Sequence, residues 1–250
     1  MPNAEIQVFE NLDELSRGAA GRFREAALRA TSEGQLFSAA LSGGSTPKRL
    51  YELLAQESST VAWSQVHLFQ VDERCVPPGD AESNYTMIEQ SLLTRISLPK
   101  ANFHRMAAER PDRDQSACDY AQELRRILRP PDGKAPTLDL IFLGMGADGH
   151  TASLFPSSSA LDERTLWVVA NYSPTLQKHR MTLTYPVLDA AREVIFLVSG
   201  EEKSETLRQV LEGPHDRFPA QRVRPVHGRI KWFVDQSASR LLTHSVRSAF

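Results

Sequence analysis

The sequence predicts an α/β fold, a mainly parallel sheet with helices on both of its faces. Three observations lead there. Apolar runs of strand length recur along the chain, and they are apolar at consecutive rather than alternate positions. Segments with apolar residues at helical spacing separate them. Turn residues gather where the apolar runs end. Strands buried on both faces and joined through helices form parallel sheets, because each crossover lays its helix on a face.

The elements follow in order. EIQVFE (5–10) reads as a short strand, and residues 11–34 as a helix with Leu12, Leu15, Ala19, Phe23, Ala26 and Ala30 in register and Gly34 as its stop. QLFSAALS (35–42) is a continuously apolar strand, after which Pro47 opens a helix carrying Leu50, Leu53 and Leu54. VHLFQVDE (66–73) is a third strand, and residues 83–96 form a helix capped by Ser83. ACDYAQELRRILR (117–129) is helical, with Tyr120, Leu124, Ile127 and Leu128 facing inward.

LDLIFLG (138–144), LWVVAN (166–171), RMTLTY (180–185) and EVIFLVSG (193–200) are strands. Residues 201–213 form a helix with Leu207, Val210 and Leu211 in register, ended by Gly213 and Pro214. IKWFVD (230–235) and a closing helix QSASRLLTHS (236–245) complete the chain. RPPDGKAPT (129–137) is read as a surface loop rather than a linker, because the alternation resumes after it, so residues 1–250 are expected to form a single domain. Right-handed crossovers then bring the loops that leave the strands to one edge, where ligands bind.

Composition narrows the function. The 250 residues are 41% hydrophobic and 24% charged, ordinary for a globular chain, and the net charge of -2 argues against a nucleic-acid binder. Cys75 and Cys118 lie in no ligand-like spacing, so neither a disulfide framework nor a zinc site is expected. The N-terminus lacks a signal-peptide pattern, and no apolar run reaches membrane-spanning length. The expectation is a cytoplasmic protein with no membrane partner, and nothing demands more than a monomer.

Three strand exits are chemically unusual. In LSGGSTPKRL, Gly43 and Gly44 let the backbone approach a ligand, Ser45 and Thr46 offer hydroxyls, and a helix begins with unpaired N–H groups. That suits an anion, although a simple Ser or Thr helix cap is the plainer reading. The spacing matches neither a P-loop nor a dinucleotide fingerprint. In VDERCVPPGDAESNY, strand alternation points Asp72 and Arg74 one way and Glu73 the other. A guanidinium in a cleft suits an anionic oxygen, while a solvated charge cluster is the alternative.

The third exit, GMGADGHTAS, opens space with Gly144 and Gly146, turns at Asp148-Gly149 and projects His150. An imidazole ordinarily titrates near ~6.5 and can take a proton from water and return it to a leaving oxygen. No G-x-S-x-G elbow is present, so a serine hydrolase is not indicated. Lys203, just past a strand, could reach an anion, and His179 and Arg180 precede another strand; all three also suit a plain surface.

Together LSGGSTPKRLYELL, VDERCVPPGDAESNY, LIFLGMGADGHTASLFP, HRMTLTYPVLDAAREVIFLVSGEEKSETL and FPAQRVRPVHGRIKWFVDQSA resemble the 6-phosphogluconolactonase family over essentially the whole chain. The resemblance implies a Rossmann-like domain of the sugar-phosphate isomerase and lactonase type. It implies hydrolysis of 6-phospho-D-glucono-1,5-lactone in the oxidative pentose phosphate pathway, with no cofactor and no metal. One departure stands out: Ser157 occupies a position where the family commonly has Gly.

The neighbouring activity is that of glucosamine-6-phosphate deaminase, which resembles this chain in both glycine-rich loops but carries a Glu before the Pro that follows its His. Here Phe155 takes that place, which removes a carboxylate that amino-sugar isomerisation needs. A non-catalytic sugar-phosphate sensor is the other alternative.

On this reading Gly43, Gly44, Ser45 and Thr46 hold the phosphate, with Lys203 and either Arg74 or Arg180 neutralising it, and Asp148 is a further substrate contact. His150 is the general base, Asp72 orients the His or the water, and N–H groups around Gly146 meet the oxyanion.

Overall fold

The computed structural model describes residues 4–243. Its first half runs β1 (Ala4–Phe9), α1 (Leu12–Ser32), β2 (Phe37–Leu41), α2 (Ser45–Gln56), β3 (Val66–Gln70), β4 (Asp72–Arg74), α3 (Asn84–Ser91), β5 (Phe103–His104) and α4 (Arg113–Leu128). The second runs β6 (Leu140–Gly144), β7 (Val168–Ser173), β8 (Lys178–Leu183), α5 (Tyr185–Leu188), β9 (Glu193–Val198), α6 (Ser204–Glu212), β10 (Arg229–Asp235) and α7 (Gln236–Ser239). No helix among the described residues is long and apolar enough to cross a membrane.

Local chemistry sets the helix ends. The Asn11 carboxamide accepts from the N–H groups of Asp13 and Glu14, and Gly34 closes α1 at φ +71° with its N–H on Thr31. The Ser83 hydroxyl caps α3 as expected, accepting from Thr86.

Seven parallel strands form the main sheet in the order β1-β10-β9-β6-β2-β3-β5. Alternate residues pass to opposite faces. On β6, Leu140 and Phe142 join one apolar cluster with α1 and α2, whereas Ile141 and Leu143 join the other with α4 and α6. Phe196 and Trp232, neighbours on β9 and β10, stack at 4.0 Å on that second face. Each fully buried side chain of this size contributes roughly 1.5–3 kcal/mol, so the doubly covered sheet is the rigid frame for its loops.

The strand order reverses between β6 and β2: later strands extend from β6 toward one side, and β3 from β2 toward the other. Loops leaving the two strands diverge there and open a crevice. The exits expected to carry chemistry leave β2 and β6 on either side of that point, with the β9 exit next to β6.

Several expectations are corrected. Residues 66–73 are not one strand. Val71 donates its N–H to Leu41 in the main sheet and accepts from Leu183 in another, so the chain changes sheets at that residue. β4, β8 and β7 make a separate three-stranded antiparallel sheet, so the segments near 166–171 and 180–185 lie outside the parallel layer. The closing helix extends only over Gln236–Ser239, and residues 244–245 of that expectation lie outside the described residues. α2 starts at Ser45, two residues before Pro47.

Candidate active site

The strand exits line one cleft of about 250 Å³. Its walls include Gly43, Gly44, Ser45 and Thr46 from the β2 exit, Asp72 and Arg74 from β4, Gly146 and His150 from the β6 exit, and Lys203 after β9.

The β2 exit is built for close backbone approach. Gly44 stands at φ +106° as the residue before α2, and no side chain caps the helix, so the plainer capping reading fails for Ser45 and Thr46. The N–H groups of the first turn therefore face the cleft end of a twelve-residue helix, the polarity that favours an anion. A Cβ on Gly43 would lie 1.7 Å from Asn84 Oδ1, so any larger residue there would displace the Asn84 side chain.

Asn84 was not anticipated from the sequence. Its Nδ2 donates to the Asp72 carbonyl at 2.9 Å and to Asp72 Oδ1 at 3.3 Å, and it packs against Gly43. Asp72 Oδ2 accepts from Ser153 Oγ at 2.6 Å, three residues past His150. Asp72 therefore ties the start of β4 to the His150 segment through Ser153. The hydrogen bonds of its carboxylate run to Ser153 and Asn84, not to the imidazole, which leaves the other expected role, orienting the water, as it stood. Neither Asn84 nor Ser153 carries a sequence signal beyond its place beside a cap and a glycine-rich turn.

Glu73 points away, as strand alternation requires. Its buried carboxylate accepts from the N–H groups of Arg74, Asn84 and Tyr85, each at 2.7 Å, and from Gln70 Nε2 at 2.8 Å. It organises the start of α3 and does not line the cleft.

The β6 exit delivers the imidazole. His150 Nδ1 lies 2.5 Å from Asp148 Oδ1. Burial pushes the Asp148 carboxyl up, but the His150 hydrogen bond and charge outweigh it and hold it below its ordinary value. The carboxylate keeps a proton on Nδ1 and leaves Nε2 as the basic nitrogen. Asp148 does not line the cleft itself; its carboxylate stands behind the imidazole. The Phe155 ring packs 4.6 Å from the imidazole.

The Gly146 N–H donates to the His150 carbonyl at 2.9 Å and is not available for an oxyanion. Arg180 pairs across the β4–β8 ladder with Arg74 but does not line the cleft. Burial, then the Arg74 charge, pushes its guanidinium below its ordinary pKa. Arg74 does line the cleft and donates through Nη1 to the Glu82 carbonyl. His179 lies exposed on β8 against Tyr172. Among the described residues, no cluster of three His, Cys, Asp or Glu side chains is placed to hold a metal ion.

Known proteins resemble this chain in sequence and in fold. A profile described as glucosamine-6-phosphate isomerases/6-phosphogluconolactonase matches residues 10–232. The chain is 38% identical to a 6-phosphogluconolactonase of Synechocystis over 205 residues, covering 81% of this chain and 83% of that protein. It is 37% identical to a human 6-phosphogluconolactonase over 251 residues, covering 95% and 93% of the two chains. The solved structure of 6-phosphogluconolactonase from Trypanosoma cruzi superposes with a TM-score of 0.84 at 31% identity, over 96% of this chain and 97% of that one. The chain therefore belongs to the family of glucosamine-6-phosphate isomerases and 6-phosphogluconolactonases.

Proposed function

We infer that the protein hydrolyses 6-phospho-D-glucono-1,5-lactone to 6-phospho-D-gluconate, acting through one domain. One observation supports this reading above the others: an imidazole oriented by Asp148 faces the same cleft as a helix start and a lysine suited to a phosphate. The phosphate rests on the Ser45 and Thr46 N–H groups at the start of α2, with Lys203 and Arg74 balancing its charge. Anchoring that remote group brings the lactone carbonyl to His150.

A water then attacks the carbonyl carbon and loses its proton to Nε2. The tetrahedral adduct collapses, the bond from that carbon to the ring oxygen breaks, and the imidazolium returns the proton to the departing oxygen. General base catalysis of this kind contributes roughly 10²–10⁴-fold, and a δ-lactone, which opens in water unaided, needs little more. Asp72 is a positioning group for the segment that carries the base. Deaminase chemistry is disfavoured because Phe155, packed on the imidazole, stands where that activity needs a carboxylate.

A coupled assay with freshly generated lactone, corrected for spontaneous opening, tests the reading. The expected result is turnover by the wild type and its near loss in His150→Ala, with 6-phosphogluconate still bound. Binding without turnover by the wild type would instead favour a sensor, and wild-type turnover by His150→Ala would remove the imidazole from the mechanism.

A further inference from the structure

The turn that presents His150 is held from outside the cleft. Within itself it closes through Gly149 N–H on the Gly146 carbonyl at 3.0 Å and Gly146 N–H on the His150 carbonyl at 2.9 Å. Two bonds then tie it to neighbouring segments. Ala220 N–H donates to the Gly149 carbonyl at 3.1 Å, and Thr206 Oγ1 donates to the Ala147 carbonyl at 2.6 Å. Ala147 directly precedes Asp148, and a peptide unit is planar. Fixing the Ala147 carbonyl therefore fixes the Asp148 N–H and the place of the Asp148 Cα, from which the side chain leaves the backbone.

Thr206 lies in the first turn of α6. A helical threonine commonly turns its hydroxyl onto the carbonyl one turn back, yet this one bonds a loop residue 59 positions away. Three residues before it stands Lys203, at the end of the 3-10 turn Glu201–Lys203, and Lys203 lines the cleft. Positions three apart on a helical path lie on neighbouring parts of one face. A continuous path runs from the cleft lysine through the start of α6 and the Thr206 hydroxyl to Ala147, Asp148 and His150. The 3-10 turn follows Gly200 at φ +105°, a backbone setting that glycine adopts without strain.

We propose that Thr206 is a positioning residue that couples anion binding at Lys203 to the alignment of the Asp148–His150 pair. The inference rests on the lactonase reading. An anion held between the start of α2 and Lys203 restrains the start of α6. That restraint passes through one hydroxyl to the peptide that places Asp148. The substrate phosphate then raises turnover as well as affinity, which is how remote binding energy accelerates a reaction.

The test compares wild type, Thr206→Val and Thr206→Ser. Valine keeps the shape and removes the donor; serine keeps the donor. In Thr206→Val, kcat is expected to fall roughly 10–100-fold, the range for a small misplacement of a catalytic group, with the dissociation constant of 6-phosphogluconate essentially unchanged. Thr206→Ser recovers most of the loss. With unphosphorylated glucono-1,5-lactone as substrate, added inorganic phosphite raises the wild-type rate and fails to raise that of Thr206→Val.

Wild-type kcat in Thr206→Val, loss of product binding together with kcat, or a serine variant no better than valine overturns the positioning role. Absence of phosphite activation in the wild type, or equal activation in both proteins, overturns the coupling to Lys203. A wild type that does not hydrolyse the phosphorylated lactone overturns the lactonase reading itself, so the two failures are distinguishable.

Discussion

Asp148 Oδ1 lies 2.5 Å from His150 Nδ1, and a single glycine separates the two residues in the chain. The orienting carboxylate and the base thus come from one turn, and their geometry depends on how that turn closes. Asp148→Asn is expected to lower kcat by roughly 10²–10⁴-fold, because an amide no longer enforces the tautomer with Nε2 basic, while KM moves little. Steady-state kinetics with freshly generated lactone checks this. The folded-state pKa of Asp148 is lowered by His150. Its stabilising contribution is therefore present above the ordinary aspartate range and disappears only as pH falls through the lowered value. Any loss of rate on mild acidification therefore belongs to a group other than Asp148.

Gly146 and Gly144 make a matched pair. A Cβ on Gly146 would sit 2.1 Å from His150 Nδ1 and 2.7 Å from Asp148 Oδ1, whereas one on Gly144 meets nothing within 4 Å. Gly146→Ala must displace the imidazole and is expected to remove most activity from a protein that still unfolds cooperatively. Gly144→Ala should remain active. Equal activities in the two variants would mean that the turn yields without moving the base.

Lys203 carries a prediction about binding. Lys203 lines the cleft together with the start of α2, so Lys203→Ala is expected to weaken 6-phosphogluconate binding by roughly 10–100-fold, in line with a loss of about 1.5–3 kcal/mol for a charge-assisted hydrogen bond. Titration calorimetry at two salt concentrations reads it, and the wild-type affinity should be the more salt-sensitive of the two.

Ser157 adopts φ +64°, the left-handed region that favours glycine. The departure from the family pattern noted in the sequence therefore falls where a Cβ is strained. Ser157→Gly relieves that strain, offset in part by the greater freedom of glycine in the unfolded chain. A net gain of up to about 1 kcal/mol is expected. Urea unfolding of the pair measures it, and a destabilised glycine variant would show that the serine makes a compensating contact.

Asp189 predicts a pH dependence of stability. Burial raises its carboxyl to about 6, against the lowering effect of the Arg224 N–H that it accepts at 2.6 Å. The folded protein holds this proton after the unfolded chain has released it, so the contribution favours folding at low pH and is lost as pH rises from 3.8 toward about 6. Asp189→Asn cannot ionise. Between those limits the wild type should lose stability relative to the variant by on the order of 1–3 kcal/mol, read from denaturant unfolding of both at each pH.

Much of the frame was legible before any coordinates. Apolar periodicity and turn residues located six of the seven main-sheet strands, the α3 cap and the Gly34 stop, since each reports an interaction reaching only a few residues along the chain. The two-residue β5 and the Asn11 cap of α1 were not read from it. The direction of Asp72, Arg74 and Glu73 followed from strand alternation alone. The change of sheets at Val71 was hidden, because residues 66–73 keep one uninterrupted pattern and the switch is made by Leu41 and Leu183, far away in sequence. The partners of Asp72 were hidden for the same reason: Ser153 lies 81 positions on.

The sequence by itself determined which side chains leave the parallel strands, and with them the residue types available for binding an anion and moving a proton. The tertiary structure alone decided where those side chains come to lie: Asp148 rather than Asp72 meets the imidazole, Arg180 lies beside the cleft, and Asn84 packs against Gly43. The physical reason is range. Backbone propensity and side-chain alternation act between neighbours in the chain. A hydrogen-bond partner is chosen by whichever group packing brings within 3 Å or so, and that choice exists only once the layers have closed on one another.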